Sequence, residues 1–595
     1  MSRAPIRIAN CCGFFGDRLS AAREMVDGGP IDVLTGDWLA ELTMGVLARQ
    51  RARDPATGYA NSFLVQLADV LGDCLRRGIK IVSNAGGLNP HGLASEVRAL
   101  AQRLGLTLQV AVIDGDDATA QFAHALGHGW AAPHIDSGRP FSTLGTDAIV
   151  ANAYLGAWGI ADALEAGADI VITGRVTDAS IIVGPAAWHF GWRRDDWDAL
   201  AGAVAAGHVI ECGVQASGGN YSFFTEIADL SHMGFPLAEI HQDGSAVITK
   251  HPGTGGAVTV ETVTAQLLYE IDGPRYVNPD VVTRLDTARL EQIGTDQVRI
   301  SGVRGEPAPD MVKVGVIASG GWRNSMTFVL TGLEIEAKAA AAQAALWSVV
   351  PGGRGAFDRV DVRLLRADHD DPASMNDAVA LLTVTVSSRD RGIVAAFSRA
   401  AIETGLASYP GLYFTSPPGP ASEFTIFWPV LMPADQFTQR VTLDGQTWET
   451  SRQSPSADGQ TGHIDVPRQA PPAREWPGPT AKVPLGTLFG ARSGDKAGNA
   501  TLGVWARTDE AYAWLRSWWR ADRLHKLIPD SEGLELKTWE LPLLRACGVT
   551  LRGFLGDGVA ANLALDSQAK GLAEYFRARH AQVPAVLLSS KECDS

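Results

Sequence analysis

The 595-residue sequence predicts an α/β fold class: an N-terminal parallel-sheet α/β domain, then an α+β part, and a C-terminal ferredoxin-like α+β domain. Up to about residue 206, short β-rich runs alternate with helical patterns, which is typical of βαβ units around a mostly parallel sheet. Residues 207–355 are richer in glycine and in β-type runs, and residues 356–448 resemble a small α+β unit. A stretch rich in Pro, Ser, Gln and Gly then predicts a linker over 449–482.

Strands and helices alternate regularly in the first part of the chain. The predicted strands cover residues 6–9, 31–34, 79–83, 106–113 and 170–173. The predicted helices cover residues 19–26, 38–51, 62–77, 94–104 and 148–167. Turns at Gly36, Asn84 and Gly174 follow three of the strands. Because ligands of open α/β sheets bind outside the carboxyl ends of the strands, we expect the functional site at that edge.

The later elements predict two smaller units. Residues 357–447, the end of a core domain that we place over 1–448, contain two strand-like runs and a helix over 393–405. Residues 483–588 contain strands in PLGTLFGARSG and ATLGVWAR, a helix over 509–519, two strands near Leu534 and Leu551, and a helix over 567–579. Two helices with several strands in about a hundred residues predict a ferredoxin-like sandwich.

The charge balance argues against several classes of partner. The chain carries 51 Lys and Arg against 66 Asp and Glu, a formal net charge of −15, without a basic stripe. Because phosphates need a basic face, we expect neither a nucleic-acid nor a membrane partner. Six scattered cysteines without a CxxC pair indicate reduced thiols. Without a signal peptide or an apolar run of ~18 residues, the sequence predicts a cytoplasmic protein. A small-molecule substrate and a homo-oligomer are the partners that we expect.

The run CCGFFGD follows the first strand and places Gly13 and Gly16 in a tight turn. Backbone N–H groups of such a turn can converge on an anion. Neither a Walker loop nor a GxGxxG fingerprint is present. Taken by itself, the motif favours a plain βα turn with Asp17 as the helix N-cap.

The run LTGDWLAELTM carries Asp37 at a strand-to-helix junction and Glu41 four residues later. Residues four apart share one face of a helix, so the two carboxylates can serve as general base and acid or hold a divalent cation. Alternatively, Asp37 caps the helix and Glu41 benefits from the helix dipole. The sequence leaves both interpretations open.

The loop SNAGGLNPHG combines two asparagines and two glycines after the strand over 79–83. Asn84 and Asn89 offer amide donors, and Gly86 and Gly87 offer unhindered backbone N–H groups. Such a loop can polarise a carbonyl or stabilise an enolate oxygen. A plain turn needs fewer special residues, which favours a functional loop.

The run TGRVTDAS places Arg175 and Asp178 three residues apart at a strand end. Arg175 can grip a carboxylate or phosphate with two parallel hydrogen bonds. The alternative is a local ion pair that caps the next helix.

The run HVIECGVQASGGNYS is predicted as an apolar strand followed by a loop. Glu211 on such a strand costs free energy unless it is paired or functional. Cys212 fits a small buried apolar residue, and His208 is near enough to be its base, although no third orienting group is evident. We therefore favour Glu211 as the catalytic group. The polar loop that follows supplies the expected binding residues Gln215, Gly218, Gly219 and Asn220.

In the C-terminal part, ARSGDKAGN forms a turn between two strands. Arg492, Ser493 and Lys496 can bind an anionic group there, with Asp495 orienting Lys496. An anion-binding hairpin and a structural turn both stay open.

Six motifs in order make the chain resemble the acyclic terpene utilisation protein A (AtuA) family, formerly a domain of unknown function. They are LTGDWLAELTM, NAGGLNP, ITGRVTDAS, ECGVQASGGN, SYPGLYFTSPPGP and ARSGDKAGN. The resemblance covers nearly the whole chain except the linker, and it implies a large N-terminal domain joined to a ferredoxin-fold C-terminal domain. It also implies a link to geraniol and citronellol breakdown, which works on branched acyl-CoA thioesters. The positions that match the family pattern are Asp37, Glu41, Asn84, Asn89, Arg175, Asp178, Glu211, Gln215 and Asn220.

Together, the motifs and the family resemblance predict an enzyme that acts on a CoA thioester or carboxylic acid by enolate-type lyase or hydratase chemistry. Glu211 or Glu41 would move the proton, and Asp37 and Asp178 are further candidate catalytic groups. The loop with Asn84, Gly86 and Gly87 would stabilise the oxyanion. An anionic group would bind Arg175 or the turn with Gly13 and Gly16, and Arg492 and Lys496 would close over it or contact a neighbouring subunit.

The sequence identifies no cofactor, since no nicotinamide, flavin or haem motif is present, and ligand spacing gives no support for a Mg²⁺ on the carboxylates. Two alternatives stay open. One is a non-catalytic accessory or scaffold protein of an acyl-CoA carboxylase pathway. The other is a hydrolase or thioesterase that uses Cys212 and His208.

Overall fold

The computed structural model describes residues 3–450, 476 and 478–588. The chain packs as two compact units. Unit 1 contains Met1–Ile317, Phe427–Val559 and Gln568–Ser595, and unit 2 contains Ala318–Ile426 and Ala560–Ser567. Most of the predicted linker over 449–482 lies outside the described residues, and the predicted domain boundaries stay predictions.

The first part of the chain alternates strands and helices. Its strands are β1 (Ile6–Asn10), β2 (Val33–Gly36), β3 (Lys80–Ser83), β4 (Val110–Asp114), β5 (Ala148–Ala153), β6 (Ile170–Thr173), β7 (Pro236–Ile240), β8 (Ala246–Lys250), β9 (Arg275–Val277), β10 (Val282–Arg284), β11 (Arg289–Gly294), β12 (Gln297–Ser301), β13 (Arg304–Glu306) and β14 (Met311–Thr331). Its helices are α1 (Ala21–Gly28), α2 (Glu41–Arg53), α3 (Asn61–Arg77), α4 (Pro90–Arg103), α5 (Thr119–Gly127), α6 (Trp158–Glu165), α7 (Ser180–Phe190), α8 (Trp197–Ile210) and α9 (Val260–Leu267).

The later part supplies the remaining elements. Its strands are β15 (Arg359–Arg366), β16 (Val379–Ser388), β17 (Tyr413–Phe414), β18 (Ser422–Pro433), β19 (Arg440–Leu443), β20 (Gln446–Glu449), β21 (Thr480–Pro484), β22 (Phe489–Lys496), β23 (Asn499–Ala506), β24 (Leu536–Leu541), β25 (Ala546–Leu551) and β26 (His580–Pro584). Its helices are α10 (Ile335–Val349), α11 (Arg391–Glu403), α12 (Asp509–Trp518), α13 (Ala521–Leu527) and α14 (Leu572–Ala578).

A mixed sheet forms the centre of unit 1. Among the described residues it has eleven strands in the order β11-β12-β8-β7-β1-β2-β3-β6-β4-β19-β20. The five strands from β1 to β4 in this order are parallel, and the flanking strands pair antiparallel. The central strands are apolar and buried, as strands covered by helices on both faces must be. The predicted α/β class with a parallel sheet is therefore confirmed.

The C-terminal elements form a second layered structure within unit 1. Strands β22-β23-β25-β24 make a four-stranded antiparallel sheet, and β21 pairs with β26. Buried side chains of α12, α13 and α14 share one core with this sheet. In unit 2, strands β15 and β16 and the later part of β14 share a core with α10 and α11.

Two predicted elements are wrong. Residues 148–167 do not form one helix, because β5 occupies its first six residues and α6 begins only at Trp158. Glu211 does not lie on a strand: α8 ends at Ile210, and Glu211 is its C-cap. The Ala-rich stretch before His208 favours a helix, and its nearly complete burial removes the polar face that would have revealed it in the sequence.

Candidate functional site

The polar side chains that follow the parallel strands lie together. β2 ends at Gly36, β3 at Ser83 and β6 at Thr173, so the next residues leave the sheet at one edge. Besides burial, the charge of Asp178 raises the pKa of both Asp37 and Glu211, which requires the three carboxyls to be near neighbours. The end of α8 therefore reaches the same cluster.

Asp37 and Asn84 form one hydrogen-bonded pair. Asn84 donates its Nδ2 to Asp37 Oδ1 over 2.5 Å, and its Oδ1 accepts the Trp38 backbone N–H over 2.8 Å. Burial raises the pKa of the Asp37 carboxyl well above its usual range. Asn84 thus holds Asp37 in place through one N–H and the oxygen of its amide, and its expected contact with an oxyanion stays a prediction.

The predicted pairing of Asp37 with Glu41 on one helical face is wrong. α2 begins only at Glu41, with Ala40 as its N-cap, so the two residues do not share a helix. The backbone at Trp38 and Leu39 instead turns around the Asp37 carboxylate, whose Oδ1 accepts the Leu39 N–H at 3.0 Å. Glu41 belongs to the site through a separate contact, an ion pair with a cation on another strand.

That cation is Lys313 of β14. Its Nζ lies 3.2 Å from Glu41 Oε1, 4.7 Å from the centre of the Tyr154 ring and 5.0 Å from that of Phe427. Burial opposes the charge, but Tyr154 and Glu41 outweigh it and raise the pKa of Lys313. Glu41 Oε2 is buried without a hydrogen-bond partner among the described residues. Lys313 is therefore a fixed positive charge within the cluster.

Arg175 is a second fixed positive charge. It is 3% exposed, its guanidinium lies 4.1 Å from the centre of the same Tyr154 ring, and its Nη1 donates to Asp178 Oδ1 over 2.8 Å. The local ion pair considered from the sequence is therefore present. Within the described part of the chain, however, Arg175 Nε is buried without a hydrogen-bond partner.

Glu211 and His208 form a buried pair at the end of α8. His208 Nδ1 lies 3.2 Å from Glu211 Oε1, and Glu211 Oε2 has no partner among the described residues. Asn10, at the end of β1, donates its Nδ2 to the carbonyls of Ile210 at 2.8 Å and Glu211 at 3.2 Å. The end of α8 is thus tied to the first strand of the parallel sheet.

The surroundings of this pair favour neutral forms of both side chains. Burial, together with the charges of Asp178 and Glu270, raises the pKa of Glu211 well above its usual range. Burial, together with Lys496, lowers the pKa of His208 to about 4. Burial thus favours the protonated carboxyl of Glu211, beside a neutral His208 that shares its hydrogen bond.

The C-terminal domain supplies cations on the other side of the cluster. Lys496 Nζ lies 5.6 Å from the centre of the Tyr276 ring, next to the pair of His208 and Glu211. Arg492 donates to the Asn220 carbonyl at 3.2 Å and to the Gln215 side chain. The polar loop after α8 is therefore fixed by the C-terminal sheet through Gln215 and Asn220.

Several expected binding residues have structural bonds instead. The Gly13 N–H donates to Asp17 Oδ2 at 2.9 Å, so this carboxylate takes the place of a bound anion; Asp17 is not an N-cap, since α1 begins at Ala21. Asn89 caps α4 and donates to the carbonyls of Ala56 and Thr57. The Ser493 hydroxyl donates to the Ala569 carbonyl at 2.7 Å. These groups are engaged within the protein, and their expected contact with a ligand stays a prediction.

The predicted glycines serve close packing and turns. A Cβ on Gly86 would lie 2.4 Å from the Thr173 carbonyl oxygen, and one on Gly13 would lie 2.2 Å from the Gly213 nitrogen. Gly87 (φ 52°) and Gly218 (φ 104°) have left-handed backbone that disfavours other residues. A Cβ would likewise meet Phe14 at Gly16 and Val214 at Gly219. Their proposed contact with a ligand stays a prediction.

The geometry does not favour Cys212 as a nucleophile. Burial raises the pKa of its thiol well above the usual range, and the charges of Glu211 and Glu270 add to the rise. His208 is hydrogen-bonded to Glu211 instead. A reactive cysteine needs the opposite environment, in which neighbouring positive charge stabilises the thiolate.

Sequence reasoning missed Lys313, Tyr154, Asn10 and Glu270. Lys313 had a signal, because it is a lysine in the otherwise apolar run MVKVGVIA, the same kind of anomaly that drew attention to Glu211. Asn10, Tyr154 and Glu270 had no such signal, because their roles depend on contacts between distant segments.

Neither a metal cluster nor a membrane helix emerges from residues 3–450, 476 and 478–588. No group of three or more His, Cys, Asp and Glu in these residues is placed to hold a metal ion. None of the helices found there has the length and apolar character to span a bilayer.

The comparisons with known proteins agree with the architecture. Fold and site together define an α/β protein that has buried acids and cations at its strand ends and is joined to a C-terminal α+β domain. Residues 6–443 match the acyclic terpene utilisation family protein AtuA, and residues 483–581 match the AtuA ferredoxin-like domain. The chain belongs to the AtuA family, and the predicted ferredoxin-like C-terminal domain is confirmed. No curated protein and no solved structure matches it.

Proposed function

We propose that this protein is an enzyme of acyclic terpenoid or branched-acid catabolism that acts on an acyl-CoA or a carboxylate by enolate-type lyase or hydratase chemistry. Membership of the AtuA family supports the pathway. The buried cluster of paired acids and cations supports the class of reaction, because enolate chemistry needs a proton donor or acceptor beside fixed positive charge.

The observation that carries the proposal is Glu211. This carboxyl group is 4% exposed, is hydrogen-bonded at one oxygen to His208 and has no partner for the other oxygen among the residues that the structure describes, which is costly for folding alone. Its pKa, raised by burial, moves towards the range in which a carboxyl can both take and release a proton near neutral pH.

The proposed step moves one proton. In the direction of addition, the Glu211 carboxyl gives its proton to the α-carbon of an enolate, whose electron pair forms the new C–H bond. In the opposite direction the Glu211 carboxylate takes the α-proton, and the electrons move to the carbonyl oxygen. His208 accepts or donates the hydrogen bond at Oε1 and so stabilises either form.

Fixed positive charges would hold the anionic part of the substrate. Arg175 Nε is buried and unpartnered within the described residues, and Lys313 shares the Tyr154 ring with Arg175. Two such cations in a site of reduced polarity stabilise a carboxylate or a developing enolate oxygen. Asp37, whose pKa burial raises, is a second candidate proton donor.

The test is turnover by the purified protein. Geranyl-, citronellyl- and hydroxy-isohexenylglutaryl-type CoA thioesters are incubated with it and followed by mass spectrometry. We expect a mass change with the native protein and none with Glu211→Gln. Glu291→Gln, at an exposed site in β11, is the matched control and should keep full activity. An intact protein that transforms none of these compounds would count against the proposal.

The alternatives predict other outcomes. A non-catalytic accessory protein captures an acyl-CoA carboxylase subunit in stoichiometric amount from cells grown on citronellol, and shows no turnover itself. A thioesterase that uses Cys212 releases free CoA and is inactivated by alkylation or by Cys212→Ser. Since burial keeps the Cys212 thiol protonated, we expect neither effect.

A further inference from the structure

Residues 268–270, which follow α9, pack directly on the C-terminal sheet. A Cβ on Gly503 would lie 2.6 Å from Leu268 Cβ, and a Cβ on Gly494 would lie 2.5 Å from Tyr269 Cε2. Glycine in β22 and β23 is therefore what allows this close approach. The Arg492 guanidinium lies 4.5 Å from the centre of the Tyr269 ring and fixes the segment from the same sheet.

Glu270 ends this segment in a strained conformation. Its φ of 56° lies in the left-handed region, which is unfavourable for a residue with a Cβ. Lys570 of the C-terminal domain contacts this segment: Lys570 Nζ lies 3.5 Å from Glu270 Oε1 and 3.4 Å from Asp495 Oδ1, and it is hydrogen-bonded to the Tyr269 hydroxyl. Backbone strain that persists under contacts from another domain is typical of functional sites.

Titratable and charged groups from several elements surround Glu270, and the candidate acid and base groups are among them. The charged and titratable groups that feel its charge are His208, Glu211 and Cys212 at the end of α8, Tyr269 beside it, Tyr276 in β9, and Arg492 and Asp495 in β22. Lys496 lies in the same cluster and Lys570 pairs with Glu270 directly.

We propose that Glu270 is a positioning residue of the site, and that Glu270 and its counter-charge Lys570 from the C-terminal domain together set the protonation of Asp495. The catalytic consequence rests on the proposed function, whereas the effect on protonation exists in the resting protein. A charge of the first family domain thus acts on a carboxyl of the second, where Lys570 contacts both groups.

Infrared titration of the protonated carboxyl band tests this directly. Burial raises the pKa of Asp495 to about 7, Glu270 adds to the rise and Lys570 opposes it. Asp495→Asn identifies its band. We expect Glu270→Gln to lower the Asp495 midpoint and Lys570→Gln to raise it, each by roughly half a pH unit or more. Lys570→Arg keeps the charge and should keep the native midpoint.

Lys537→Gln is the matched control. Lys537 is a lysine of the same domain that lies 2.9 Å from Asp272 Oδ2, two residues beyond Glu270, and its removal should leave the Asp495 midpoint unchanged. Shifts of equal sign, no shift, or an equal shift in the control would overturn the proposal. If Lys570→Gln does not fold, the Glu270→Gln shift decides alone. Opposite midpoint shifts in a protein without turnover would contradict the proposed function but support this inference.

Discussion

At the scale of single residues, the acids of the site are ones whose pKa burial raises. Glu211 and His208 each favour the neutral form, and each supplies the other with a hydrogen-bond partner. The choice of Glu211 over Cys212 followed from the sequence, because a carboxyl among apolar residues needs an explanation beyond folding. The hydrogen bond between His208 and Glu211 did not follow from the sequence. It forms because residues three apart are neighbours on a helix, and this run was predicted as a strand.

The first prediction concerns His208 and acid stability. Its folded pKa of about 4 lies below the unfolded value of about 6.5. Between these values the unfolded state binds more protons, so the contribution to stability is present above pH 6.5 and is lost as the pH falls towards 4. We expect the native protein to lose about 3 kcal/mol over this window relative to His208→Gln. Urea unfolding at a series of pH values measures the difference, and parallel curves for the two proteins would contradict it.

The second prediction concerns Asn10. Its side-chain amide donates to the carbonyls of Cys12, Ile210 and Glu211. Asn10→Ala leaves these buried acceptors without that donor, so we expect the free energy of unfolding to fall by about 2–4 kcal/mol. Asn376→Ala, at an exposed position, should change it by less than about 0.5 kcal/mol. A similar loss in both variants would show that the amide does not anchor α8.

At the scale of elements, strand ends were easier to predict than helix identities. The turns after β2, β3 and β6 meet at one edge because parallel strands share a direction, and the sequence marks their ends with Gly36, Asn84 and Gly174. α8 was missed because it is buried on nearly all sides and so has no amphipathic pattern. β5 was missed because its pairing with β14 joins segments far apart in the chain.

The third prediction concerns the glycine in β23. A Cβ at position 503 would lie 2.6 Å from Leu268 Cβ, so Gly503→Ala must displace the strand or the segment after α9. We expect a loss of about 1–3 kcal/mol in unfolding free energy. Gly127→Ala is the control, because nothing lies within 4 Å of the added Cβ in α5. Equal stability of the two variants would mean that the contact is not tight.

At the scale of the whole molecule, the two family domains contribute to one cluster of side chains within unit 1. Arg507 of the C-terminal domain pairs with Glu226 at 2.6 Å and Glu261 at 2.8 Å, and its guanidinium lies 3.9 Å from the centre of the Phe223 ring. The family resemblance predicted both domains from the sequence. From the sequence, Arg492 and Lys496 were expected to close over the ligand of this site or to contact a neighbouring subunit, but nothing local in ARSGDKAGN indicates which distant loop this turn contacts.

The fourth prediction follows from that contact. Arg507→Gln removes two ion pairs and the stacking on Phe223, which should loosen residues 213–226. We expect faster amide hydrogen exchange in this loop, with little change in the central sheet. Arg299→Gln, which removes an exposed ion pair with Glu291, should leave exchange in the loop unchanged. Uniform exchange across the loop and the sheet in Arg507→Gln would contradict a local role.

The most direct measurement for the account as a whole is exchange of the substrate α-proton in heavy water. It needs no second substrate, because only the proton transfer itself is followed by mass. With branched acyl-CoA thioesters, we expect the native protein to incorporate deuterium at the α-carbon, and Glu211→Gln to incorporate none while unfolding at a similar temperature. No incorporation by the native protein, or equal incorporation by the variant, would contradict the assignment of Glu211 as the proton-transfer group.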